Sequence, residues 1–285
     1  MSSIENNLEP LVRIFHPSDF TPASEIAFAH ALKLALDSKA DLEIMHVTPH
    51  LSANEADVHW SDFPGVRPTL ARWGIIPKGA SREDVVKQGM DVKKIVLSGD
   101  PVSAILEYCH QHPPDLLVLA THQYDGLARW LHKQVAEPLA RGSRAMTLFV
   151  PHEGTGFISL ENGSVKLRRI LLPVDHEPSG QKAVDEAYTL AVGLDCPDVE
   201  FRLLHVGETQ EMPALKLPER GNWKWEKRLV QGDVIETILQ EASAWSPDLV
   251  ALTTQGHMHF LDALRGSTTE RVLRGVHCPV LAIPA

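Results

Sequence analysis

Short apolar runs alternate with longer stretches of helical spacing along the chain. Leu11–His16 is an apolar run ending in Pro-Ser-Asp and reads as a buried strand. Residues 22–37, PASEIAFAHALKLALD, place apolar side chains at helical spacing behind Thr21, a plausible N-cap, with Pro22 in the first turn. Leu42–Val47 reads as a strand. Lys94–Leu97 reads as another, followed by Gly-Asp-Pro and a helix through Leu106. Leu116–Ala120 is continuously apolar, as a strand covered on both faces should be. A helix around 131–141 and a strand at Thr147–Val150 close the set. This alternation predicts an α/β fold with a parallel, doubly wound sheet.

The pattern then recurs. Residues 98–150 align with 231–283 at a constant offset of 133, and SGDPVSAILEYCHQHPPDLLVLAT matches QGDVIETILQEASAWSPDLVALTT. Earlier matches include RIFHPSD (13–19) with RILLPVD (169–175), and MHV (45–47) with LHV (204–206). The second copy is expected to run strand 168–174, helix 178–192, strands 199–206 and 227–231, helix 233–244, strand 249–253, helix 267–274 and strand 279–283. The chain is therefore a duplicated domain. Predicted limits are 1–152 for the first copy, 153–168 for a linker and 169–285 for the second. In the linker, Asn162-Gly163 between alternating apolar residues signals a β-hairpin. The copies differ in length at one place. Val47 to Gly99 spans 52 residues, whereas Val206 to Gly232 spans 26. The extra segment, within 50–92, has Trp60, Trp73, Pro64, Pro68 and Pro77, and predicts an irregular cap.

Composition narrows the function classes. At 44% hydrophobic and 22% charged, the chain has the balance of a soluble globular protein. A net charge of −10 argues against unspecific nucleic-acid or anionic-membrane binding. No apolar run reaches the ~18 residues of a membrane span, and the N-terminus lacks a basic-then-apolar signal. Cys109, Cys196 and Cys278 are too few and too scattered for a disulfide framework, and Cys278 reads as a small core residue. A cytoplasmic, reduced protein is the simplest expectation.

In a doubly wound sheet, ligands bind at the carboxyl ends of strands where the strand order reverses. Two loops of each copy should meet there. One follows the first strand, as Pro173-Val174-Asp175 in the second copy, where the aspartate can accept hydrogen bonds from a ribose or an adenine amine. The other follows the fourth strand, as Thr253-Thr254-Gln255-Gly256, then nine residues, then Gly266-Ser267-Thr268 opening a helix. Glycines admit a phosphate to the backbone N–H groups, and a helix N-terminus with hydroxyls adds donors.

This pattern resembles the universal stress protein family. The marks are a strand followed by Pro-x-Asp, His-Val ending the second strand, Gly-Asp before a helix, Gly-x9-Gly-Ser/Thr, and a Cys-Pro-Val ending, here HCPVLAIP (277–284). The resemblance spans nearly the whole chain twice and implies two domains, each a five-stranded parallel sheet of order 3-2-1-4-5, packed as an internal pseudo-dimer. It implies ATP, with or without Mg, as ligand of the second copy, with Pro173, Val174 and Asp175 near the adenine or ribose. Val206 would line the adenine pocket, and Gly256, Gly266, Ser267 and Thr268 would hold the phosphates. The family's first motif glycine is here Thr253, beside Thr254, which either crowds the phosphate path or bonds to it. In the first copy Ala120, Gln123, Lys133 and Gln134 replace the motif, so only Asp19 persists. That copy is expected not to hold a triphosphate.

Other readings stand beside this one. Asp175 could simply cap the next helix. His257 and His259, with His122 and His132 in the equivalent loop, raise a metal-assisted hydrolase, but no HExxH or Cys/His quartet supports it. His46 and His205 read as structural histidines. No Gly-x-Ser-x-Gly elbow or Walker lysine is present, so catalysis is not expected beyond incidental ATP hydrolysis. The resulting expectation is a nucleotide-dependent regulator, whose ligand would shift residues 254–268 and a surface for an unidentified protein partner. The alternative is a scaffold of the same family without nucleotide. The chain would be either a monomer or a homodimer.

Overall fold

Apolar runs too short for helices form the middle of each sheet. Ile14, Phe15, Leu116, Leu117, Ile170, Leu171, Leu249 and Val250 are all at most 1% exposed. The structure, a computed structural model, describes residues 11–48, 63–121, 145–152, 156–207, 211–254 and 268–285. The predicted helix at 131–141, Gly256, Gly266, Ser267 and the four loop histidines lie outside the described residues.

The chain divides into two units that part between Ser164 and Val165. The first contains β1 (Arg13–Pro17), α1 (Pro22–Ser38), β2 (Asp41–Thr48), α2 (Val66–Arg72), α3 (Arg82–Val86), β3 (Val92–Ser98), α4 (Pro101–Gln111), β4 (Leu116–Thr121) and β5 (Met146–Pro151). Its strands are parallel, in the order β3-β2-β1-β4-β5. The second contains β6 (Arg169–Pro173), α5 (Gln181–Gly193), β7 (Glu200–Val206), β8 (Lys224–Val230), α6 (Val234–Trp245), β9 (Leu249–Thr254), α7 (Thr268–Gly275) and β10 (Val280–Pro284). They are parallel in the order β8-β7-β6-β9-β10. Each unit is thus the doubly wound 3-2-1-4-5 sheet.

Several boundaries differ from the sequence expectation: β3 starts at Val92 and α4 runs to Gln111, and two starts in the second unit move by three residues. The strand expected at 227–231 starts at Lys224. As an edge strand it is largely exposed and reads KWEKRLV, so it offers no apolar run to detect. Helix α5 starts at Gln181 and not at 178, because Asp175 and Ser179 close a turn and Gly180 is the N-cap.

The repeated signatures have physical roles. Gly99 and Gly232 have φ of +125° and +146°, a region that favours glycine. The aspartate after each caps a helix. Asp100 accepts from Ser103 N, and Asp233 accepts from Ile235 N and Glu236 N. Asp115 and Asp248 precede the fourth strands. One Asp115 oxygen accepts from the main-chain N–H groups of Val12 and Arg13, and one Asp248 oxygen accepts from those of Arg168 and Arg169, all at 2.8 Å.

Between Phe157 and Val165, where a hairpin was expected, Ser159 N bonds Ser164 O at 3.0 Å and Gly163 N bonds Ser159 O at 2.9 Å. This turn packs on the first unit. Phe157 and Ile158 are buried, Trp73 Nε1 donates to Leu160 O, and Gly163 sits so close to the Trp73 ring that a Cβ there would lie 2.6 Å from Cδ2. Within the segment expected as an irregular cap, the described part holds two short helices, α2 and α3.

Two buried histidines tie the first unit together. His30 Nδ1 donates to Ile26 O, and its Nε2 accepts from Phe157 N at 3.0 Å. His16 Nδ1 donates to Val118 O at 2.9 Å, joining β1 to β4. Burial pushes both rings down to about 4 and keeps them neutral. An unfolded histidine takes up its proton near 6.5, so protons favour the unfolded chain between that value and 4. Stability from each ring is complete above pH ~6.5 and is lost as pH falls, by about 3 kcal/mol at pH 4. The urea midpoint of the first unit should therefore drop between pH 7 and pH 4.5. His30→Gln, read by amide exchange of residues 27–36, should flatten part of that dependence.

Candidate functional site

The crevice opens where β6 and β9 part. They pair only at Ile170–Leu249 and Leu171–Val250, whereas β9 continues to Thr254 alongside β10. β7 lies on the other side of β6, so the strand order reverses here. The carboxyl ends of β6 and β9 carry Pro173, Val174 and Asp175 on one side, and Thr253 and Thr254 on the other. Val206 ends β7 half-buried, and Thr268 begins α7, exposed.

The Asp175 loop is held from below. Val174 is 5% exposed, and its N–H bonds Leu204 O at 2.9 Å. His205, buried at the end of β7, donates from Nδ1 to Val174 O at 3.0 Å. Gly180 sits so close that a Cβ there would lie 2.7 Å from Val174 Cγ1. These contacts leave the Asp175 side chain 64% exposed, 3.8 Å from His205 Nδ1 and accepting only from its neighbour His176 N among the described residues. It does not cap α5, whose N-cap Gly180 makes no side-chain cap bond. His205, read from sequence as structural, positions this loop.

Thr253 Oγ1 is buried and has no hydrogen-bond partner among the described residues. Thr254 Oγ1 instead donates to Ile283 O at 3.3 Å. Lys182 of α5 donates to Pro284 O, placing a cation at this end of the sheet. Sequence reasoning missed it, since a lone lysine in a helix carries no signal.

The first unit uses the same positions differently. Asp19 accepts from Thr21 N, Thr21 Oγ1 and Ser24 Oγ within 3.0 Å. Burial would raise its pKa, but the hydrogen bonds from Ser24 and Thr21 outweigh that and hold the carboxyl below the usual range. Its carboxylate is thus engaged by its own loop. The next residue, Phe20, has φ of +62° and stacks on His46 with ring centroids 3.9 Å apart. Phe63 meets Phe20 edge-on at 4.9 Å. His46 repeats the role of His205 by donating from Nδ1 to Ser18 O at 2.8 Å. In the second unit His176 stands in place of Phe20, exposed and edge-on to His205 at 5.3 Å.

The pattern of the universal stress protein family matches residues 12–151 and 218–284. The chain belongs to the universal stress protein family. The second match begins after β6, so the Asp175 loop of this family member rests on the geometry above and on the repeat. A universal stress protein of Methanocaldococcus jannaschii is 23% identical over 151 residues, covering 44% of this chain and 86% of its own. The crystal structure of a universal stress protein from Archaeoglobus fulgidus covers 95% of this chain and 98% of its own at 15% identity, with a TM-score of 0.62. A family protein of Arabidopsis thaliana solved with AMP bound is 18% identical, covering 41% of this chain and 90% of its own, with a TM-score of 0.30. Among the described residues no helix is long and apolar enough to cross a membrane, and no group of three metal-ligating side chains is found.

Gly180→Ala should press on Val174 and cost about 1–3 kcal/mol. Gly180→Ala with Val174→Ala should recover part of that loss through a favourable coupling of about 1 kcal/mol, measured by urea unfolding of the two single variants and the double.

Proposed function

We propose that this protein is a non-catalytic regulator that binds one adenine nucleotide, ATP with or without Mg, in its second unit. The observation that carries the reading is the contrast between the two aspartates. Asp175 offers an exposed carboxylate at the switch point of the sheet, whereas Asp19 is bonded by its own loop. A carboxylate there can accept from ribose hydroxyls or an adenine amine. The Thr253 hydroxyl, buried and without a partner among the described residues, supports the view that Thr253 bonds to the ligand and does not merely crowd it. Gly256, Gly266, Ser267 and Thr268 would supply phosphate donors by resemblance to the family motif. The first unit would serve a structural or regulatory role. A role in a cytoplasmic stress response belongs to this proposal by family resemblance. The second reading is a scaffold without nucleotide, which Thr253 in place of glycine favours.

Small molecules released from the denatured, freshly purified protein should include an adenine nucleotide near one per chain, identified by mass spectrometry. Protein that is empty and fails to bind added ATP–Mg would favour the scaffold. By calorimetry, Asp175→Ala should weaken ATP about tenfold or more, the loss of a charge-assisted hydrogen bond. Asp19→Ala should leave the affinity unchanged. Thr253→Val should also weaken ATP. If it strengthens binding, the hydroxyl is not a ligand contact.

A further inference from the structure

The last part of the longer first-copy segment, taken together with the start of β3, is locally basic in an acidic chain. Residues 63–94 contain seven Lys or Arg and three Asp or Glu, while the whole chain has net charge −10. Between α2, α3 and β3 lies a hollow of about 650 Å³, within the range of small-molecule sites. Phe63, Val66, Val85 and Val86 give it apolar walls, and Arg67 and Lys94 give it charge.

Neither of these two cations has a carboxylate within ion-pair distance among the described residues. Lys94 Nζ lies 5.3 Å from the centroid of the Phe63 ring, and Arg67 donates to Ala80 O at 3.3 Å. The acidic lining residue, Asp91, is paired with Arg82 at 3.0 Å. Burial pushes the Lys94 ammonium below its ordinary pKa, and the charge of Arg67 adds to that. Two like charges beside apolar walls are unfavourable when alone and favourable with an anion between them. Val86, at 50% exposed, leaves apolar surface open to an occupant. A second hollow of about 500 Å³ adjoins the first through Arg67 and Pro68 and brings Arg72 and Lys78.

We propose that this hollow binds a small amphiphilic anion, with its carboxylate or phosphate head against Lys94 and Arg67 and its hydrocarbon body against Phe63, Val66, Val85 and Val86. The site is in the other unit from the nucleotide crevice and does not rest on that reading. Ligand bound there would be read through the insertion that the second unit lacks.

The test is calorimetric titration of the full chain with octanoate and with octyl phosphate, using 1-octanol and inorganic phosphate as half-ligands. At least one alkyl anion should bind saturably and more tightly than either half-ligand, and the tighter of the two identifies the head group. Lys94→Gln and Arg67→Gln should each weaken it about tenfold, the scale of one charge-assisted contact. Val86→Glu, at an exposed position, should weaken it by repulsion without lowering the urea midpoint. Excess ATP–Mg should not displace the ligand. The proposal falls if neither anion binds, if 1-octanol binds as tightly, if both glutamine variants bind as the parent does, or if ATP–Mg competes.

Discussion

One carboxylate oxygen joins the first and fourth strands of each unit. Asp115 holds the start of β1 to the start of β4, and Asp248 holds β6 to β9, each through two main-chain N–H groups at 2.8 Å. The strands beside these anchors share a ladder of only two residue pairs. Tied at their amino ends and unpaired toward their carboxyl ends, they open a crevice where the winding of the sheet reverses. The loops that carry Asp19 and Asp175 hang over that crevice, so their positions depend on the anchor below. A histidine at the end of the second strand steadies each loop by donating to a main-chain carbonyl, His46 to Ser18 and His205 to Val174.

On this shared frame the two units have diverged through a few side chains. In the first, hydroxyls of Thr21 and Ser24 engage Asp19, Phe20 covers His46, and Phe63 packs edge-on against Phe20. In the second, Gly180 lets Val174 pack inward, the Asp175 carboxylate points to solvent, and His176 replaces the phenylalanine. The same backbone position is thus closed in one unit and open in the other. The longer segment of the first unit supplies Phe63, which packs on Phe20 and also lines the hollow beside Lys94 of β3.

The sequence by itself determined the duplication, the α/β class and most strand positions. Apolar runs such as Leu116–Ala120 have little meaning except as buried parallel strands, and Gly-Asp and Asp-Leu recur because a positive φ, a helix cap and a strand anchor each demand one residue type. Thr253 was legible because it falls five residues after Asp248, as Ala120 does after Asp115, and Asp175 because RILLPVD repeats RIFHPSD. The edge strand at Lys224 was read short because exposure on both faces removes the hydrophobic pattern. What only the tertiary structure decided was which aspartate is open, which histidines position loops, and that Lys94 and Arg67 line one hollow in which Asp91 is paired with Arg82. These are relations between groups far apart in the chain. Partnering, burial and local charge are set by what packs beside a residue, and no local pattern records that.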